Sequence, residues 1–385
     1  MIRSAGYLPP RTLVALILLG ICNHALLTGA RVTVSLNALA NGASAALVGL
    51  LMALFALLPM LCAVPAGRLV DRIGARRPML WGSIGCLVAA ALPALLPGLP
   101  SLFVAAALSG LAFMSFQIPA QRVTGELGTE QDRAANFSWL AMGYAGSGFI
   151  GPLIAGFAID AVGFRFAFAA LALLPIVPVV ALARGRLNLP APVIHAEPVA
   201  ARSMFDLLQH PALRRVYVIN AAFALGWDLH TVFVPIYGSE IGLSAAQIGA
   251  ILAMFAAATF VVRLAMPWLV RRWRDATLMT AALLCAGAVY LVFPFLESAL
   301  ALAMLSFVLG LALGTGQPMV LAQLHTIAPP GRVGEAVGMR MSLIQTMSVA
   351  VPLVFGALTS TIGLVPVFWS VGLCIGGGGL YARRR

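Results

Sequence analysis

Arg31 and Asp228 carry opposite charges inside apolar runs long enough to cross a bilayer. Centring one such charge in hydrocarbon costs roughly 2.5 to 3.5 kcal/mol even on the lenient insertion scale, so intramembrane charges face a protein interior or wet passage and find partners. His24, Thr28, Arg31 and Ser35 follow one another at spacings of four, three and four, which puts them on one helical face. Asp228 shares its run with Asn220, Trp227 and Thr231. Gln117, Gln121 and Gln317 form a second polar set, suited to hydrogen-bonding a ligand or, equally, a neighbouring helix. His24 and His230 are of the type that titrates near neutral pH, which makes them candidate proton carriers. This inventory suits binding and proton exchange rather than bond-making: no P-loop, GxSxG or HExxH stands in the chain, so no enzyme, cofactor or metal site is expected.

The elements that must hold these residues follow from composition. Hydrophobic residues make up 61% of the chain and charged ones 9%, with a mean hydropathy of +1.00, whereas soluble domains carry about 25% charged residues. The expectation is an all-α integral membrane protein. Its net charge of +12 is entirely arginine. Nucleic acid is not the implied partner, because no basic face is interleaved with polar or aromatic readers; cytoplasmic loops of membrane proteins retain positive charge. The five cysteines fall in apolar runs and act as small hydrophobic side chains. The first apolar run, 12–36, exceeds the h-region of a signal peptide and is expected to remain as an uncleaved helix.

Roughly 20 apolar residues cross a bilayer, and breaks at charge, Gly and Pro divide the chain into twelve such runs. They are 12–36, 47–66, 78–98, 101–124, 134–158, 164–183, 213–238, 246–266, 276–296, 299–324, 336–358 and 363–382. Placing both termini and every even-to-odd loop on one side puts 21 of 24 arginines there, leaving Arg31, Arg165 and Arg263. That side is cytoplasmic, and the membrane is the cell (inner) membrane. The one long connection, 184–212, holds Pro190, Pro192 and Pro198, and then Ser203 before FDLLQH, a capped amphipathic segment for the membrane surface. The expected organisation is a bundle at 1–183, a linker at 184–212 and a second bundle at 213–385, in a monomer.

The two halves repeat at an ungapped offset of 200 residues. Val32, Val34 and Gly42 meet Val232, Val234 and Gly242, then Ser44-Ala45-Ala46 and Gly49 meet Ser244-Ala245-Ala246 and Gly249. Ala53, Phe55 and Ala56 recur as Ala253, Phe255 and Ala256, and Arg72 as Arg272. Farther on, Gly110 and Gln117 meet Gly310 and Gln317, while Pro152 and Gly156 meet Pro352 and Gly356. Parallel repeats of this kind place a substrate site near the midplane between the halves. Under the same offset Arg31 corresponds to Thr231, one turn from Asp228, so symmetry makes Arg31 and Asp228 opposing charges. Either they bind substrate or protons, or they form an outer-side salt bridge. Arg263 either snorkels from the cytoplasmic end of its helix or faces inward, where with Arg31 it outweighs Asp228 and favours an anion.

Between the second and third runs stands GRLVDRIGARR, Gly67 to Arg77, four arginines and an aspartate that cannot lie in hydrocarbon and read as a tight aqueous loop. Its Gly67, Asp71, Arg72, Gly74, Arg76 and Arg77, in a chain of two six-helix repeats, resemble the signature of the major facilitator superfamily. The resemblance implies two pseudo-symmetric six-helix bundles, alternating access, a central cavity lined by helices 1, 4, 7 and 10, and a cytoplasmic gate at this loop. Positive charge alone would serve topology, but acids contribute little to orientation, so Asp71 has another use. The counterpart, Leu269 to Asp275, keeps arginines but has Arg271 where the first half has Asp71.

On the fifth run, GYAGSGFIGPLIAG, with Gly143, Gly151, Pro152 and Gly156, resembles the motif of drug/proton antiporters of that superfamily, with Ala155 in place of a glycine. Small residues permit close helix packing and proline bends the helix. Ala106 stands where that group carries an arginine, so its usual proton relay is not carried over. The resemblance implies proton-coupled efflux of a small molecule. Uptake or uniport of a carboxylate-type organic anion is the alternative, and a channel or non-transporting receptor a further one.

Overall fold

The computed structural model describes residues 10–127, 133–185, 187, 189, 206–328 and 333–383. Among the described residues, twelve helices are long and apolar enough to cross a membrane. The first six are α1 (Arg11–Ala40), α2 (Ala45–Ile73), α3 (Arg76–Leu95), α4 (Leu99–Glu126), α5 (Arg133–Val162) and α6 (Phe164–Leu173, resumed as Ile176–Ala183). The second six are α7 (Pro211–Glu240), α8 (Ala245–Arg272), α9 (Asp275–Val292, ending in a 3-10 turn at Phe293–Phe295), α10 (Ala299–Gly314, resumed as Gly316–Ile327), α11 (Val333–Ile362) and α12 (Leu364–Arg383). The interruption in α6 sits at Pro175, just ahead of Pro178, where proline lacks the amide that would continue the ladder.

The chain divides into two compact units, one of residues 1–38 and 54–196, the other of residues 39–53 and 197–385. In the first, α3 packs on α4 and α6, and α5 on α4 and α6. Leu16, Leu19, Met79, Phe116, Val123 and Leu182 close its core where α1, α3, α4 and α6 meet. In the second, α8 packs on α10, α9 on α12, and α7 on α11 and α12, with Phe293 and Phe368 stacked at 5.2 Å between α9 and α12. Lipid tails are as apolar as these side chains, so the packing is held by close contact rather than by escape from water.

The repeat is a structural one. Gly42 and Gly242 turn the chain at φ 79° and 77°, and Gly163 and Gly363 both at 82°, in the left-handed region that glycine enters without strain. After the first pair, Ser44 accepts from the Leu47 amide and Ser244 from the Gln247 amide, each at 3.3 Å, capping α2 and α8. A Cβ on Gly110 would strike the Phe55 carbonyl, and one on Gly310 the Phe255 carbonyl. α2 therefore crosses α4, and α8 crosses α10, with backbones in contact at the same repeat position.

One expectation changes. Gly67 to Ile73 is not loop but the last two turns of α2, and α3 begins at Arg76. Arginine is a good helix former, so leaving the bilayer does not end the helix; Gly74, at φ 79°, does. In the long connection, Pro190, Pro192, Pro198 and Ser203 lie outside the described residues, and Asp206–Gln209 forms one helical turn before α7.

Candidate functional site

In the second unit, α7 and α11 run in the same direction and are tied by polar rungs. Near their N-terminal ends Tyr217 donates to the Ala336 carbonyl at 3.2 Å, and one turn on, Arg340 donates from Nε to Oδ1 of Asn220 at 3.0 Å. Farther along, the Ser348 hydroxyl reaches both carboxylate oxygens of Asp228, at 3.2 and 3.1 Å. Asp228 is buried, and a carboxylate there requires donors. Thr231 spends its hydroxyl on the Trp227 and Asp228 carbonyls. Trp227 meets Phe255 edge-on at 4.8 Å. His230 turns to the other side, stacked on Phe255 at 4.2 Å and bonded through Nε2 to Ser306 at 3.0 Å, away from α11.

In the first unit, the guanidinium of Arg31 lies 5.6 Å from the ring centroid of Phe55, the residue that repeats as Phe255. The Ser147 hydroxyl donates to the Tyr144 carbonyl at 2.8 Å, so at 2.6 Å His24 Nδ1 is the donor to Ser147. The rings of Phe113 and Tyr144 flank His24, each at 5.1 Å. Thr28 bonds to its own helix and to the Ser147 carbonyl. The helix-five glycines permit this approach: a Cβ on Gly151 would strike Thr28 and the Ala25 carbonyl, and one on Gly143 would come within 2.5 Å of Ile17. Pro152 and Gly156 continue the buried face of α5. Gln117 and Gln121 are half-buried on α4.

Gln317, the repeat of Gln117, differs: it accepts from Arg263 at 3.2 Å, bridging α8 and α10. The two glutamines share a position but not a use. At the start of α3, Arg76 donates to the Leu182 and Ala183 carbonyls, each at 2.9 Å, and so caps α6 within its own unit. Arg72 and Arg77 are exposed and line, with Ile73, Arg76 and Leu80, a cavity of about 610 Å³. The side chain of Asp71 lies outside the described residues. Gly67 has open space around its Cα. In the second half no glycine follows α8, and the chain passes through extended Trp273 and Arg274 instead. The two ends are built differently, as Arg271 in place of Asp71 foreshadows.

Sequence reasoning missed α11. Its apolar window is 17% buried, the lowest share of the twelve spans, and Ser342 and Thr346 are exposed with Gln345 half-exposed. Hydroxyls and amides facing hydrocarbon are costly, so this stripe marks a wet surface. Arg340 was overlooked because an arginine near a span's cytoplasmic end counts toward topology; its signal was its place inside the run 336–358.

Among the described residues, twelve helices of membrane-spanning length in two repeated sets of six, with polar side chains carried on α1, α4, α7 and α11, have the architecture of a membrane transporter. A family model described as the Major Facilitator Superfamily matches residues 16–342 and, separately, 216–384; the second match starts 216 − 16 = 200 residues after the first, the repeat offset. The chain belongs to the major facilitator superfamily. It also resembles a crystal structure of a mutant of the peptide transporter POT, with a TM-score of 0.81 and 17% identity over 97% of this chain and 94% of that one, a likeness of fold. No curated protein matches it.

Proposed function

We propose that this protein is a proton-coupled secondary transporter that exports a small molecule across the cytoplasmic membrane, with Asp228 as the proton-exchanging group. One observation carries this reading. Among the acidic residues that are described, Asp228 alone lies more than two turns from either end of a spanning helix, and it is buried with Ser348 as donor. A carboxylate kept at that depth is costly unless its charge changes in use. Arg31 is the opposing charge of the cycle on the sequence symmetry. The distribution of arginines supports cytoplasmic termini, and the glycine-proline stretch of α5 supports export. Arg72, Gly74 and Arg77 belong to a cytoplasmic gate in this scheme.

Transport of an organic anion, inward or by uniport, is the second reading. It is favoured by Arg31, Arg263 and Arg340, cationic side chains that lie within spanning helices as Asp228 does. The test is flux of a panel of anionic and cationic fluorescent solutes in proteoliposomes under an imposed pH gradient. Asp228→Asn should lose gradient-driven flux and keep solute exchange; unchanged gradient-driven flux would reject Asp228 as the proton carrier.

A further inference from the structure

We propose that Arg340 and Asn220 form a subsite for the carboxylate of an organic-anion solute, between α7 and α11 in the second unit; the inference rests on the transport reading above. Arg340 is 4% exposed and Asn220 3%. Among the described residues the guanidinium has two contacts, Asn220 Oδ1 at 3.0 Å and the weakly accepting Met341 sulfur at 3.7 Å. No acid pairs with it there. Because Nε–H requires an oxygen, the contact sets the orientation of the Asn220 amide, and the amide nitrogen that results is buried with no partner.

The site thus holds donors in excess: the Nη groups of a buried cation and the two N–H groups of a buried amide. Buried donors without acceptors and a buried cation without an anion are both costly. A cationic or apolar group relieves neither. A carboxylate relieves both, since the Nη1–Nη2 edge, which meets only the weakly accepting Met341 sulfur, matches its two oxygens and the amide supplies a further donor. The Arg340–Asn220 rung and the Ser348–Asp228 rung are each separated by 120 residues in sequence. They therefore lie eight residues apart on both helices, about 12 Å at 1.5 Å per residue. Anion group and proton group share one helix pair.

The test is thermal unfolding of the purified full-length protein in detergent with three matched pairs of probes: acetate and acetamide, benzoate and benzamide, hippurate and hippuramide. In at least one pair the acid should raise the melting temperature with concentration and the amide should not. Arg340→Gln should weaken that response by more than about tenfold in apparent affinity, and Arg340→Lys, which keeps charge but not the fork, should weaken it too. Should Arg340→Gln not fold, Arg340→Met with Asn220→Leu removes donor and acceptor together and takes its place. No acid-specific response in any pair, or one that survives loss of Arg340, overturns the subsite. The melting response is read at fixed pH with no gradient imposed, whereas proton coupling is read as gradient-driven flux, so failure of proton coupling and failure of the anion subsite give different results.

Discussion

Ser348 offers one hydroxyl to both carboxylate oxygens of Asp228, at 3.2 and 3.1 Å, and so ties α11 to the middle of α7. A hydrogen bond to a charged group contributes about 1.5 to 3 kcal/mol. Ser348→Ala should therefore lower the unfolding temperature in detergent, and Asp228→Asn should lower it as well. If both report one bond, the double variant will cost less than the sum of the single ones by about 1 kcal/mol or more. Additive effects would mean that the two side chains do not act on each other in the folded protein.

Arg76 separates stability from gating at the start of α3. Its two bonds to the carbonyls of Leu182 and Ala183 cap a helix, while Arg77 beside it is exposed. Arg76→Ala should cost about 1 kcal/mol or somewhat more of stability, and Arg77→Ala should leave the melting temperature within error. Equal destabilisation by the two would show that the cap is not what Arg76 supplies.

The architecture was legible in the sequence wherever a steric demand is written into residue type. Gly110 and Gly310 recur because each lies against the backbone of Phe55 or Phe255, and nothing larger than hydrogen fits. Gly42 and Gly242 recur because both turns need positive φ. Depth and rotation left no such mark. Arg340 and Arg332 are both arginines near the start of the eleventh run, and only packing shows that Arg340 is turned inward against Asn220. Hydropathy likewise locates where a helix leaves the bilayer, not where it ends. For that reason Gly67 to Ile73 looks like a loop in composition and is two turns of helix.

The glycines of the second unit divide into those that are spoken for and those that are not. A Cβ on Gly310 would collide with the Phe255 carbonyl and approach Ala258 Cβ to 2.8 Å, whereas one on Gly376 of α12 would meet nothing within 4 Å. Gly310→Ala should push α10 off α8 and lower the yield of folded protein sharply. Gly376→Ala should be tolerated and even stabilise α12 by up to about 1 kcal/mol, the helix-propensity difference between the two residues. Size-exclusion profiles and melting curves of the two variants, expressed side by side, decide this; similar behaviour would contradict the backbone contact at Gly310.

Gln117 and Gln317 occupy one repeat position and predict opposite phenotypes. Gln317 accepts from Arg263 across α8 and α10, so Gln317→Ala removes a charge-assisted bond and should lower the melting temperature. Gln117 is half-buried on α4 and has no hydrogen-bond partner among the described residues. A side-chain amide in a membrane bundle keeps such freedom at a cost, and a ligand is what would complete it. Gln117→Ala should therefore leave stability unchanged and alter which solutes are carried, read as a change in the relative flux of anionic and cationic members of one panel in proteoliposomes. Loss of stability without a change in selectivity would make Gln117 a packing residue and move the solute-facing chemistry of α4 to Gln121.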